Sequence, residues 1–501
     1  MTVQGVTGGE GDLAVDKGLR KGALGLWSTV TLGLASTGPA YSLAATIALV
    51  VIAVGVQAPA VMLLAFVPMW LTAVAYRELN QSVPDCGTTF TWAAKAFGPR
   101  TGWMGGWGVA IAGIIFMSSA AEVSATYLFS IFGVDTNDLN KAVVVGVGCV
   151  FIAVMTYITY RGIQGAARLQ YAMVGLQFAS LLLLAVVSLI RVYTGSGEAD
   201  SLTPSLSWFN PFEVSSWSAF VQGILLCLFI YWGFDTALAV NEECDDAEKT
   251  PGRAAVIATI LLMLIYVIVT VAAVAYVGLL DSPEEQQNVN DIFVQWSEPV
   301  LGTWGAKLLA FTVLVSAASA MMTTILPTAR GTLAMAVYKA IPGRFAVVHP
   351  RYLTPAFSTL MIGVVSVSLF IGLSIVSENV LEDTVSSTSL AIAFYYGLTG
   401  WSAVWYFRKQ SFTSRKAFFN KFLFPLLGAI ILTGALVISA VDSFSPDYGL
   451  TSIAGVGGVF VIGVGSLLLG AVLMFITSMF MPAYFRGETL SAETPVLVPD
   501  D

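Results

Sequence analysis

"LASTGPAYSL", residues 34–43, stands inside a stretch with no charged side chain from Gly22 to Tyr76. Near the middle of its first part, the run 22–56, it sets Ser36, Thr37, Gly38 and Pro39 in succession. Pro39 removes a backbone donor and clashes with the preceding turn, while Gly38 relaxes the dihedral restriction beside it. In hydrocarbon, each freed N–H or C=O group would cost several kcal/mol, so such a break survives only where it lines a protein cavity. One reading is a proline kink healed by the Ser36 and Thr37 hydroxyls. The other is a binding site made of backbone.

The solvent follows from composition. Hydrophobic residues make up 56% of the chain and charged ones only 11%, with a mean hydropathy of +0.81. A soluble domain carries about 25% charged residues. A crossing needs about 20 apolar residues, so 501 residues leave room for about a dozen. Charge-poor stretches predict spans at roughly 23–56, 58–76, 101–132, 142–160, 166–192, 216–241, 253–280, 304–328, 356–376, 386–407, 422–441 and 452–480. The fold class is therefore an all-α integral membrane protein. Residues 1–20 are Gly-rich and lack a hydrophobic core, so they read as a disordered tail rather than a signal peptide. Helices one to ten fall within 21–410, helices eleven and twelve within 411–480, and 481–501 reads as a second disordered tail.

With twelve spans, 20 of the 23 lysines and arginines fall on the side of the termini. Only Lys141, Arg191 and Lys307 fall on the other. The positive-inside rule then puts both termini in the cytoplasm and the chain in the cell membrane. The basic loops are explained by topology, so no nucleic-acid partner is implied. The acidic outer loops, "DSPEEQQNVND" (281–291) and "SENVLED" (377–383), read as a solvated rim or as a field drawing cationic solutes. Cys149 and Cys227 fall within spans, Cys86 and Cys244 in loops, which suits small packing residues better than a disulfide framework.

Span six carries a second interruption. "LFIYWGFDTALAVNEE" (228–243) places Gly233 beside Asp235 in the charge-free run 214–241, about 11 Å inward of its centre at 1.5 Å per residue. Spans one and six are corresponding members of two five-helix halves, and paired interruptions of this kind point to a transporter site between inverted repeats. The half-helix starting near Pro39 presents free N–H groups from Ser36, Thr37, Gly38 and Ala40 onward, which suit a carboxylate. Carbonyls left near Tyr231 and Trp232 suit an ammonium group. Phe229, Tyr231, Trp232 and Phe234 supply aromatic surface, with ordinary helix packing as the plainer alternative. Asp235 is read as a cap on the inner half of span six. In span three, Glu122 is the one ionisable residue between Arg100 and Asp135. It is read as a packed neutral acid, a counter-charge for a cationic substrate, or a proton-coupling group.

Three stretches resemble the amino acid–polyamine–organocation superfamily. "AYRELNQSVPDCGTTFTWAAKAFGPRTGWMGGW" (75–107) has Glu78, Pro84, Gly87, Phe97, Gly98 and Gly102 where that family has them. "GFDTALAVNEECDDAEKTPGRA" (233–254) is similar to the family's span-six break and the loop beyond it. "PTARGTLAMAVYKAIPGRFAVVHPRYLTPAFS" (327–358) resembles the loop after span eight. The resemblance implies a five-plus-five inverted-repeat core with two peripheral helices, working by alternating access. Two departures stand out. The span-one break reads Ser-Thr-Gly-Pro-Ala rather than a Gly-rich signature, and span five lacks the lysine that replaces sodium in some relatives. In sodium-coupled members, span-eight hydroxyls bind the cation, a role open to Ser316 and Ser319.

The function expected is secondary transport of amino acids, with polyamines or other organic amines as the alternative substrates. No organic cofactor is implied, and coupling to H+ or Na+ is open. The expected partners are a small-molecule substrate and the bilayer, with oligomeric state left open. An intramembrane enzyme would need a nucleophile, base or metal cluster, yet the single histidine, His349, lies in a basic loop. A channel would lack saturable counterflow, and a sensor would bind without flux.

Overall fold

The computed structural model describes residues 17, 19, 22–134, 139–162, 166–279, 292–377, 379–449 and 451–495, the side chains of 166–169 excepted. The acidic loop 281–291 lies outside the described residues, as does most of the N-terminal tail. Ten helical segments are long and apolar enough to cross a bilayer. The first, Leu26–Ser82, holds two crossings, because the chain turns at Gly55–Gln57 between them. Val380–Tyr406 is a further helix of spanning length. Its Glu382, Asp383 and five hydroxyl residues between 384 and 389 make it less apolar than the rest. The twelve expected spans are thus all helical, and helices one and six are broken.

Span one comprises Leu26–Thr37 and Pro39–Val54, and span two is Ala58–Ser82. Spans three, four and five are Pro99–Ile131, Lys141–Arg161 and Ala166–Tyr193. Span six comprises Trp217–Tyr231 and the short inner piece Thr236–Ala239, and span seven is Thr250–Val277. Span eight lies within Ile292–Val337, span nine is Ala356–Val376 and span ten Val380–Tyr406. Phe424–Asp442 and Gly465–Phe480 are the cores of the last two.

Several boundaries differ from expectation. Span ten starts at Val380 because the Asn379 side chain accepts the Glu382 N–H at 3.1 Å, capping the helix. Asp383 is buried there and accepts the Ser377 hydroxyl at 2.6 Å, so "SENVLED" is a helix start and not a solvated loop. Residues 452–457 form a two-stranded hairpin, and helix begins only at Phe460. Span eight runs on to Val337 from a non-helical Gly302. The helical segment before Gly302 buries Phe293, Trp296 and Val300, and Trp296 donates its indole N–H to Ser188 in span five at 3.0 Å. This segment covers the end of the bundle opposite the termini.

The tails also differ from expectation. Lys17 and Leu19 are buried. Residues 482–495 are packed rather than disordered: Tyr484 and Leu490 are fully buried, Tyr484 donates to the Pro99 carbonyl at 2.8 Å, and Lys95 donates to the Thr494 carbonyl. Apolar residues among polar ones were enough to dock a segment whose composition reads as loose.

Spans one and six run antiparallel at the centre. Pro39–Val54 packs on Trp217–Tyr231, and Leu26–Thr37 packs on Thr236–Ala239. Span three lies between spans eight and ten and closes this pair from the side. At the end bearing the termini, the N–H groups of Ala23 and Leu24 donate to the Glu243 carbonyl at 2.8 and 3.1 Å, tying the start of span one to the end of span six.

Candidate functional site: two facing helix breaks

The span-one break is one residue wide. Gly38 adopts the left-handed conformation, φ 54° and ψ 69°, and Pro39 starts the half-helix that runs away from the termini. A β-carbon on Gly38 would meet the Ala320 β-carbon at 2.9 Å, so glycine is required both by the backbone and by the contact with span eight. The freed backbone groups divide unequally. The Tyr41 N–H donates to the Ser316 hydroxyl at 3.0 Å, and the Ser42 N–H returns to the Gly38 carbonyl at 2.8 Å. The Ala40 N–H has no acceptor among the described residues. Thr37 heals its own helix by donating to the Gly33 carbonyl at 2.8 Å. Ser36 does not, and shares a 2.7 Å hydrogen bond with the Thr236 hydroxyl of span six.

The span-six break is wider. Helix stops at Tyr231, Trp232 is extended (ψ 143°), Gly233 has φ 120°, and helix resumes at Thr236. A β-carbon on Gly233 would lie 2.8 Å from backbone atoms of Ser36 and Thr37. The two breaks therefore touch backbone to backbone, and only glycine permits it.

Asp235 corrects the expectation of a helix cap. Its carboxylate makes no capping bond. Instead its two oxygens accept one hydroxyl each from Tyr395 and Tyr396 of span ten, both at 2.9 Å. Trp232 donates its indole N–H to the Tyr395 oxygen, extending the chain back to the break. A buried carboxylate with two donors is satisfied at a level a single cap would not reach.

The aromatic residues separate into two groups. Phe229 and Trp232 face span three, with ring centres 5.9 and 5.1 Å from Phe116, and Phe116 lies 5.4 Å from Tyr41. Tyr41 also bonds Ser119 of span three at 2.8 Å. Tyr231 turns away, donating to the Met62 carbonyl at 3.2 Å and packing on Tyr266. Phe234 packs on Tyr76 and Tyr396. Glu122 is half-buried toward the Ile131 end of span three, with Lys141 as its charged neighbour, and hydrogen-bonds to no described residue. Span three reaches the breaks through Phe116 and Ser119 instead.

At span eight, Ser316 accepts from Tyr41 and donates to Gln177 of span five at 2.8 Å. The Ser319 hydroxyl has no partner among the described residues. Sequence reasoning missed Tyr41, Phe116, Gln177, Thr236, Tyr395 and Tyr396. The adjacent tyrosines and the Gln177 amide inside an apolar run were the signals that could have marked some of them.

Two discontinuous helices meeting at mid-membrane, inside an inverted-repeat bundle, define a secondary transporter. The chain belongs to the amino acid permease family, whose model matches residues 24–462. It is accordingly a multi-pass membrane transporter and not an enzyme. An uncharacterized transporter of Mycobacterium tuberculosis (strain ATCC 25618 / H37Rv) is 25% identical over 85% of this chain and 89% of its own. The low-affinity putrescine importer PlaP of Escherichia coli (strain K12) is 24% identical over 76% of this chain and 80% of its own. Among solved structures, the manganese transporter of Eremococcus coleocola superposes with a TM-score of 0.55, covering 95% of this chain and 98% of that one at 12% identity. At that identity the likeness concerns the fold.

Proposed function

We propose that this protein carries α-amino acids across the cytoplasmic membrane by alternating access, with both termini in the cytoplasm. The substrate carboxylate is held at the span-one break, where the Ala40 N–H stands without an acceptor beside the Ser36 hydroxyl. The ammonium group is received by the carbonyls at the span-six break, and Phe116, Phe229 and Trp232 form the side-chain pocket. Asp235 stays a structural anchor, since both its oxygens are taken by tyrosines. The observation carrying this reading is the contact of the two breaks: Gly233 against Ser36 and Thr37, with a free donor on one side. A zwitterion matches a site with backbone donors on one face and acceptors on the other. The family match to amino acid permeases supports the same class.

An organic amine is the second reading, favoured by the likeness to a putrescine importer. Uptake by purified protein in liposomes separates them. Saturable counterflow of a zwitterionic amino acid, with putrescine as a poor competitor, is expected. Putrescine transport without amino acid transport would reverse the assignment. Imposed proton and sodium gradients then identify the coupling ion.

A further inference from the structure

One helical turn below the Ser36–Thr236 contact, the path toward the terminal side is closed by an apolar cluster. Leu32 precedes Ser36 by four residues and Val240 follows Thr236 by four, so both lie about 6 Å nearer that side. Together with Leu326 of span eight they pack as a small group separate from the main core. Beneath them opens a cavity of about 400 Å³, walled by spans one, four, five, six and eight and by residues 352–354. That volume suits a small ligand.

Arg330, Glu243 and Gln170 are among the polar side chains that line this cavity. Arg330 and Glu243 form a shielded ion pair, with both guanidinium bonds ending on Oε1, the Nε bond at 2.8 Å. Gln170 of span five is only 4% exposed, yet its amide nitrogen has no hydrogen-bond partner among the described residues. A buried amide donor left without an acceptor loses the hydrogen bond it had with water and gets none in return. The position calls for an acceptor that the described residues do not supply.

We propose that this vestibule is a second binding site, for a zwitterionic amino acid. The ligand's carboxylate takes the Gln170 amide and the Arg330 guanidinium, and its ammonium group takes the Glu243 carboxylate. One cation and one anion in contact exclude a purely anionic or purely cationic ligand, since each would meet a like charge. An α-amino acid carries opposite charges a few bonds apart, so it can replace one internal ion pair with two external ones. The Glu243 carbonyl also holds the Ala23 and Leu24 N–H groups. A ligand that draws Glu243 away therefore loosens the start of span one, and the molecule leaving the central site opens its own exit.

This inference rests on the amino-acid reading, and its test separates the two. Right-side-out and inside-out membrane vesicles carrying the full chain are assayed with each of L-leucine, L-lysine and L-glutamate, and the best-transported one is used as probe. Gln170→Leu removes a group that the fold does not bond. It is expected to raise the KM measured from the terminal face about tenfold and to leave the other within twofold. Glu243→Gln, which keeps an acceptor for Arg330, is expected to show the same one-sided change, with a check of thermal unfolding for both. Equal KM changes on the two faces, or none, would overturn the vestibular site while leaving the carrier intact. Absence of saturable uptake of all three by the wild type would overturn the amino-acid reading and this site with it.

Discussion

Ser36 and Thr236, 200 positions apart in sequence, share a 2.7 Å hydrogen bond between their hydroxyls where the two helix breaks meet. Among the described residues it is the one side-chain bond that joins the broken parts directly, so it reports whether they act together. Ser36→Ala and Thr236→Val should each raise the KM for uptake about fivefold, corresponding to ~1 kcal/mol for a hydrogen bond. The double variant should be little worse than either single. Additive effects in that cycle would mean that the two hydroxyls work independently.

Asp235 is expected to tolerate an amide better than an apolar side chain. Asp235→Asn keeps an acceptor for one tyrosine hydroxyl, and the other can turn to accept from the new NH2 group. Asp235→Leu leaves both Tyr395 and Tyr396 hydroxyls buried without a partner, at about 1–3 kcal/mol each. Uptake should persist in the first and vanish in the second, with a lower thermal midpoint. Equal, complete loss with unchanged midpoints would assign the carboxylate an obligatory charge instead.

Gly38 faces two separate obstacles to substitution, the positive φ and the Ala320 methyl at 2.9 Å. Gly38→Val should abolish uptake. Gly38→Ala should reduce it strongly, and Ala320→Gly should restore part of that loss by removing the contact while the backbone cost of about 1 kcal/mol or more remains. Transport assays on the three variants decide this, and absence of rescue would place the whole effect in the backbone.

Ser316 is already engaged, accepting from Tyr41 and donating to Gln177. A sodium ion there would have to displace a helix-break N–H. Uptake is therefore expected to stay within about twofold when choline replaces sodium, since the Ser316 hydroxyl already accepts one bond and donates one without an ion. Gln177→Leu should lower transport by freeing that hydroxyl. A steep sodium dependence would contradict the arrangement.

Lys17 bonds Asp85 at 2.9 Å and Glu242 at 2.7 Å, and Tyr338 donates to the same Asp85 oxygen at 2.8 Å. Burial works to raise the Asp85 carboxyl, but the Lys17 ammonium holds it below the usual carboxylate range. Burial likewise works to lower Lys17, and Asp85, with Cys86 and Glu242, holds it well above its ordinary value. A lowered acid adds stability that is lost as pH falls through its folded value, and a raised base adds stability that is lost as pH rises through its own. Lys17→Met should thus destabilise the protein by about 3–5 kcal/mol. The gap in thermal midpoint from wild type should be widest at mildly alkaline pH and shrink as pH falls, because burial raises the unpaired Asp85 carboxyl of the variant until it takes a proton. A gap unchanged by acidification would contradict the pairing.

What the sequence by itself determined was the solvent, the spans and the two breaks. Charge-free runs and the Gly38–Pro39 pair are local features, and hydrocarbon forces every backbone group to be satisfied, so local features there have few outcomes. Gly233 was legible for the same reason. Only the tertiary structure decided who satisfies whom. Asp235 reads as a cap from its position, yet its partners, Tyr395 and Tyr396, come from a helix 160 residues on. Glu122 reads as a site residue from its charge, while Phe116 and Ser119, which turn toward the breaks on the same helix, carry no signal apart from packing. The terminal tails read as loose because composition counts charges, whereas Lys17 and Leu490 are buried against surfaces assembled from distant segments. Side-chain partnership depends on which helices lie side by side, and that is a property of the packed bundle.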